Sequence, residues 1–180
     1  MLRNLVLVLI MSASLTSEAL TLGEVKPKLS NPKKCLEYLY SDPTRWNTYI
    51  SNISQGKINW LKTWVNLRKV SDAGPTSELD IAYASAIEKN PDKSLKIILD
   101  GWIDKTEAIK IIQKICESSI ETYANQSMSE GEYKKRTKSL LEYRLKNLEK
   151  INSKELVELI NTCNLSLKEQ LKNVSKNSEN

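Results

Sequence analysis

The sequence predicts an all-α protein, a compact stack of about seven to eight helices, and three observations lead to this expectation. Apolar residues recur every three or four positions along most of the chain, which is the spacing of an amphipathic helix. Asn-Pro or Asp-Pro pairs precede three such stretches, and proline suits the first turn of a helix. Only five Gly and five Pro occur in 180 residues, so little in the chain indicates strands joined by tight turns.

Short helices are predicted in the N-terminal half. They begin near Pro32, Pro43, Lys57, Thr76 and Pro91. Pro43 and Pro91 lie 48 positions apart, close to the period of about 40 to 47 residues in HEAT and armadillo repeats. HEAT- or armadillo-like helical pairs are therefore one expectation for this half. A non-repetitive stack of helices is the other, because the two copies share few identical residues.

Three longer helices are predicted in the C-terminal half. The first covers about residues 104–125, with apolar residues at helical spacing. The second begins at Ser129, since Ser129 followed by Glu132 has the form of a capping box. Ser153 caps the third helix. The chain becomes polar after about residue 173 and is expected to fray there.

The N-terminus has the pattern of a secretory signal peptide. Arg3 precedes a short apolar run over residues 5–11, and small and polar residues follow as far as Ala19. The run is far shorter than the roughly 20 residues that cross a bilayer, so no integral membrane segment is expected after cleavage. The predicted organisation is a cleaved signal over 1–19, a single helical domain over 20–173 and a disordered tail over 174–180. The mature chain is expected to be periplasmic or secreted.

Charge and residue usage exclude several classes of function. The formal net charge is +5, but acidic residues are interleaved with the basic ones, which argues against a nucleic-acid partner. The densest basic cluster, Lys134 to Lys138, reads as one exposed helical flank. The chain contains no histidine, which removes the imidazole base and the commonest metal ligand. We expect no catalytic residue, no metal and no cofactor.

Three cysteines in an exported chain suggest one disulfide and one free thiol. If the last three helices run up, down and up, the first and third are parallel. Cys116 and Cys163 then stand at heights that differ by only about 3 Å, which favours a Cys116–Cys163 bond. Cys35 would remain as a small buried hydrophobic residue. Pairing of Cys35 with Cys116 is the alternative.

A protein-binding surface is predicted on the tryptophan-bearing helices and on the turn between them. Trp60, Trp64 and Trp102 are candidates because tryptophan is enriched at binding hot spots. Asp72 and Gly74 are candidates because functional residues concentrate in exposed loops. At helical spacing within apolar stripes, however, tryptophans are more often core residues.

The predicted function is therefore that of an exported, non-enzymatic protein that binds a protein partner, as an adaptor or as an immunity-type factor that inhibits a toxin. One alternative is a histidine-independent hydrolase acting on envelope material. It would use a carboxylate pair such as Asp100 and Asp104, or a Ser-x-x-Lys pair such as Ser54 and Lys57. The other alternative is a module that binds anionic envelope components through the Lys134 to Lys138 flank. The sequence does not indicate an oligomeric state.

Overall fold

The computed structural model describes residues 20–118 and 129–176. Within these ranges the regular elements are all helical, so the all-α prediction is confirmed. A short 3-10 turn at Lys154–Leu156 precedes the last helix. The helices are α1 (Leu22–Lys28), α2 (Pro32–Tyr40), α3 (Pro43–Ser54), α4 (Ile58–Arg68), α5 (Ala73–Lys89), α6 (Pro91–Gly101), α7 (Lys105–Ser118), α8 (Glu130–Leu148) and α9 (Val157–Lys176).

The helix starts follow the capping residues that the sequence presents. Asp42 accepts hydrogen bonds from the backbone N–H groups of Thr44 and Arg45 at 2.8 and 3.1 Å, at the start of α3. Ser129 and Glu132 form the predicted capping box at the start of α8, where the Glu132 carboxylate accepts from the Ser129 backbone N–H at 3.2 Å and the Ser129 hydroxyl accepts from the Glu132 backbone N–H at 3.4 Å. These bonds satisfy backbone donors that have no partner inside the helix.

Helix α1 was not predicted from the sequence. It has only seven residues, too few to show a clear period, and Pro27 lies inside it. Its start nevertheless has a capping-box spacing, because the Glu24 carboxylate accepts from the backbone N–H of Thr21 at 2.7 Å. Val25 is fully buried, so the helix is held to the rest of the protein by packing.

The helices pack alternately in two layers. One layer places α3 against α5, α5 against α7, and α7 against α9, while the other places α2 against α4 and α4 against α6. Helix α8 packs along α9. Such alternation is typical of stacked helical hairpins. The 48-residue spacing between Pro43 and Pro91 does not mark a repeat, because α3 and α6 belong to different layers.

Two glycines allow close packing at the turns and crossings. Gly56 ends α3 with a φ of +70°, a conformation that strains any residue with a Cβ atom. Gly101 lies at the end of α6 against α4, and a Cβ atom there would stand 2.7 Å from a methyl carbon of Val65. The two helices can therefore approach this closely only because residue 101 has no side chain.

The disulfide joins α7 to α9 and confirms the predicted Cys116–Cys163 pairing, with 5.5 Å between the two Cα atoms. The two helices are parallel, as the prediction required. Lys105 pairs with Glu158 at 2.6 Å near their starts, and the Gln170 side chain donates to the carbonyl of Cys116 at 2.9 Å further along. Cys35 is free and fully buried.

Two predicted boundaries remain, the end of the first long helix and the end of the folded domain. The part of the first long helix predicted over 119–125 lies outside the described residues. Helix α9 continues to Lys176, three residues past the predicted end of the folded domain, and Val174 packs against the core. No helix in the described ranges has both the length and the apolar character needed to cross a membrane.

Candidate functional site

The three candidate tryptophans lie in the core rather than at the surface. Trp64 is fully buried, and Trp60 and Trp102 are each 8% exposed. The Trp64 ring lies 4.0 Å from the ring of Tyr83 between centroids, and its indole N–H donates to the carbonyl of Leu79 at 3.1 Å. The expectation of a tryptophan-lined groove is therefore corrected. Helix α4 is covered by neighbours in its own layer and by the helices of the other layer, so both of its apolar stripes are buried.

The other two candidate residues, Asp72 and Gly74, are exposed as predicted. The helix predicted to begin near Thr76 begins at Ala73 instead, so Asp72 is its N-cap residue and Gly74 lies in the first turn of α5 rather than in a loop. Tyr40, the last residue of α2, extends over this turn. Its hydroxyl lies 3.4 Å from the position that a Cβ atom of residue 74 would occupy. Gly74 thus lets the tyrosine side chain lie against the backbone of the turn.

Tyr40 is a half-exposed aromatic side chain held in place by its neighbours. The residue is 45% exposed, and its ring meets the Trp46 ring nearly at right angles, with 5.0 Å between centroids. The Trp46 indole N–H donates to the Glu78 carboxylate at 2.6 Å, which links α3 to α5. Trp46 also stacks on Tyr49, a fully buried residue. This chain of rings joins an exposed aromatic to the core.

We call this surface the Tyr40 patch, defined by Tyr40, Trp46, Asp72, Gly74 and Glu78. Asp72 and Glu78 are both exposed and contribute two carboxylates. Glu78 accepts from the Trp46 indole, and Asp72 lies two residues before Gly74. Aromatic faces and carboxylates both attract cationic groups, the first through the ring quadrupole and the second through charge-assisted hydrogen bonds. The chemistry of the patch therefore suits a lysine or arginine side chain of another molecule.

Only part of this surface could be predicted from the sequence. The turn composition indicates Asp72 and Gly74, but Tyr40 lies 34 positions before Gly74. No local pattern connects those positions. The burial of Trp46 behind Tyr40 likewise depends on how α2, α3 and α5 meet.

Asp100 and Asp104, the carboxylates predicted as a possible hydrolytic pair, have other partners in the structure, and so does the buried Asp80. Asp100 lies 3.4 Å from the ammonium group of Lys96, while Asp104 caps α7 by accepting from the backbone N–H of Thr106 at 2.9 Å. Asp80 forms a buried, bidentate pair with Arg68, at 2.6 and 3.0 Å. Burial raises the pKa of Asp80, and the Arg68 guanidinium opposes part of that rise. These contacts support helix caps and helix–helix pairing.

The lysine of the predicted Ser-x-x-Lys pair and the free cysteine also have structural partners. The Lys57 ammonium donates to the side chain of Asn52 at 2.6 Å, within the turn between α3 and α4. The Cys35 thiol is fully buried and faces the carbonyl of Val25 at 3.9 Å. Burial raises the pKa of Cys35, which keeps the thiol protonated. Among the described residues, no three His, Cys, Asp or Glu side chains are grouped as a metal site would require.

The basic flank predicted on α8 is partly neutralised. Lys134 forms an ion pair with Glu130 at 2.7 Å, one turn earlier on the same helix. Lys135 and Lys138 are exposed. Of the surfaces predicted from the sequence, only the turn at Asp72 and Gly74 is joined to an exposed, rigidly supported aromatic. Comparison with models of known families, with curated proteins and with solved structures found no significant match to the chain.

Proposed function

We propose that the chain is an exported, non-enzymatic protein that binds a protein partner through the Tyr40 patch, as an adaptor or as an immunity-type inhibitor. The observation that carries this proposal is the half-exposed Tyr40 side chain, which packs on Trp46 and lies against Gly74 at the start of α5. Asp72 and Glu78 are exposed on the same part of α5. Tyrosine and tryptophan are enriched at the energetic centres of protein interfaces.

The disulfide supports the compartment in this proposal. Disulfides persist in oxidising environments such as the bacterial periplasm and are rare in reducing ones. The Cys116–Cys163 bond is therefore compatible with the signal peptide predicted over residues 1–19. An exported binding protein also needs resistance to unfolding outside the cell, and a bond between α7 and α9 supplies it.

The fixed position of Tyr40 supports a binding role more strongly than exposure alone. Ordering a free side chain on association costs about 0.5 to 1.5 kcal/mol. The contacts of Tyr40 with Trp46 and Gly74 already restrict its ring, so part of that cost is met in the unbound protein. A guanidinium or ammonium group of the partner would lie near the ring and near the carboxylates of Asp72 and Glu78.

The proposal is tested by capturing partners from an oxidising extract of the producing organism with the mature chain as bait. Tyr40→Ala and Asp72→Lys should each lower recovery of a stoichiometric partner, because they remove the ring and reverse a charge. Leu165→Ala and Glu169→Lys are matched controls on the exposed face of α9 and should leave recovery unchanged.

Two outcomes contradict the proposal. The first is a partner recovered equally by wild type and by both patch variants. The second is a chain that retains no protein in any form while all variants keep the wild-type circular dichroism spectrum. Either result would remove the Tyr40 patch as a protein-binding surface.

A further inference from the structure

A second surface lies at the opposite end of α5 from the Tyr40 patch. There the turn joining α5 to α6 faces the end of α8, and the two enclose an open groove of about 560 Å³. The side chains that matter for its chemistry are Lys89, Lys93, Tyr143 and Lys150, which we call the lysine groove. Gly74 and Lys89 are separated by 15 residues of helix, which corresponds to about 22 Å.

The lysine groove is electropositive. Its three lysines are exposed, and none of them forms an ion pair within the described part of the chain. The Lys89 ammonium donates to the carbonyl of Ser54 at 2.9 Å, so a neutral acceptor holds it. Lys150 donates to the Asn147 side chain at 2.9 Å. Two of the three cations are thus positioned without being neutralised.

The acidic residues at this surface do not cancel that charge. Glu88 lines the groove, but its carboxylate pairs with the buried guanidinium of Arg144. Asp92, in the first turn of α6, is the one remaining carboxylate in the lining. Three lysines therefore face a single carboxylate that lacks a cationic partner among the described side chains, and the surface retains a positive potential.

The start of α6 adds to the positive potential. Asn90 occupies the N-cap position, but its side-chain amide donates to the carbonyl of Gly56 at 3.1 Å and makes no capping bond. The first backbone N–H groups of α6 therefore receive no capping bond from the Asn90 side chain. Such groups carry partial positive charge and favour anions.

We propose that the lysine groove binds an acidic segment of the protein partner, with its carboxylates among Lys89, Lys93 and Lys150. This inference rests on the proposed function, because it gives the chemistry of a second contact with the same partner. Tyr143, which is 53% exposed at the rim, supplies an aromatic side chain against which the segment packs. The partner would carry basic groups for the Tyr40 patch and acidic groups about 22 Å away, at the other end of α5.

Fluorescence anisotropy with a labelled octaglutamate peptide tests the groove directly on the oxidised mature chain. Lys93→Glu/Lys150→Glu should raise the dissociation constant about tenfold or more, because two attractive charges become repulsive. Lys135→Glu/Lys138→Glu is the matched control, since it makes the same change in net charge at exposed positions of α8 outside the groove. It should change the dissociation constant less than about twofold.

Two results would overturn the inference. One is that wild type does not bind the peptide, whether or not the groove binds anionic phospholipid vesicles instead. The other is that both variants weaken peptide binding equally. Equal weakening would mean that only the overall charge matters. Circular dichroism and melting temperature of each variant confirm that exposed substitutions leave the fold intact.

The two proposals fail separately in these experiments. Tyr40→Ala should leave peptide binding unchanged, because the patch lies at the other end of α5. If the peptide binds through the groove but Tyr40→Ala does not change partner capture, only the Tyr40 proposal is contradicted. If partner capture depends on Tyr40 but the peptide does not bind, only the groove proposal is contradicted.

Discussion

Loss of the Cys116–Cys163 bond should lower the free energy of unfolding by an amount that depends on how many residues separate the two cysteines. The two cysteines are separated by 47 residues. Closing a loop of this length in the unfolded chain costs entropy equivalent to about 4 kcal/mol at 25 °C in the chain-entropy model. The Cys116→Ala/Cys163→Ala variant should therefore unfold with a free energy lower by about that amount, plus a smaller loss from the two missing sulfur atoms.

Urea unfolding followed by circular dichroism and by tryptophan fluorescence measures this difference. Coincidence of the two signals checks that unfolding is two-state. Cys35→Ala is the matched control, because it removes a fully buried sulfur atom without removing a cross-link. Its loss in unfolding free energy calibrates the packing effect of one sulfur. A double variant that loses no more than twice the Cys35→Ala value would refute the assignment of the disulfide as a structural cross-link.

Three further predictions concern the thiol, the α4–α6 contact and the cap of α8. Native protein should show no thiol that reacts with Ellman's reagent at pH 8, because Cys35 is buried and burial raises its pKa. Denatured protein should show one reactive thiol, and two or more reactive thiols would contradict the Cys116–Cys163 pairing. Gly101→Ala should cost about 1 to 3 kcal/mol in unfolding experiments, because its Cβ atom would stand 2.7 Å from Val65, and Gly101→Ala/Val65→Ala should cost less than the sum of the single changes. Hydrogen bonds from Ser129 lower the pKa of Glu132 below its usual 4.5, so the cap stabilises the folded protein above the usual pKa and is lost as the pH falls through the lowered value. Melting temperature should accordingly fall less steeply with acid in Ser129→Ala than in wild type, and parallel curves would argue against this role of the cap.

The parts of the fold that depend on neighbouring residues were predictable. Capping by Asp42 and Ser129 is decided within one helical turn, so the starts of α3 and α8 could be located from the sequence. The Cys116–Cys163 bond followed from helix rise together with an assumed up, down and up order. That order has few alternatives, because consecutive helices are usually adjacent in space.

The parts that depend on packing between distant segments were not predictable. Periodicity places Trp64 on one of two adjacent apolar stripes of α4, but it does not show which helices cover them or whether a groove stays open between them. The prediction of a binding surface at Trp60, Trp64 and Trp102 was wrong for that reason. Tyr40 is the opposite case, an aromatic residue that is exposed in the structure. Its exposure depends on how the end of α2 lies against the start of α5, which no local pattern predicts.

The central claim is that a protein partner contacts the Tyr40 patch, and site-specific photo-crosslinking tests it most directly. A benzophenone amino acid would replace the exposed Ala73, beside Gly74, and in a separate chain the exposed Leu165 of α9. Irradiation in the native compartment should yield one discrete protein adduct from position 73 and none from position 165, and Tyr40→Ala should abolish the adduct. Absence of an adduct at position 73, or the same adduct from both positions regardless of Tyr40→Ala, would contradict the account.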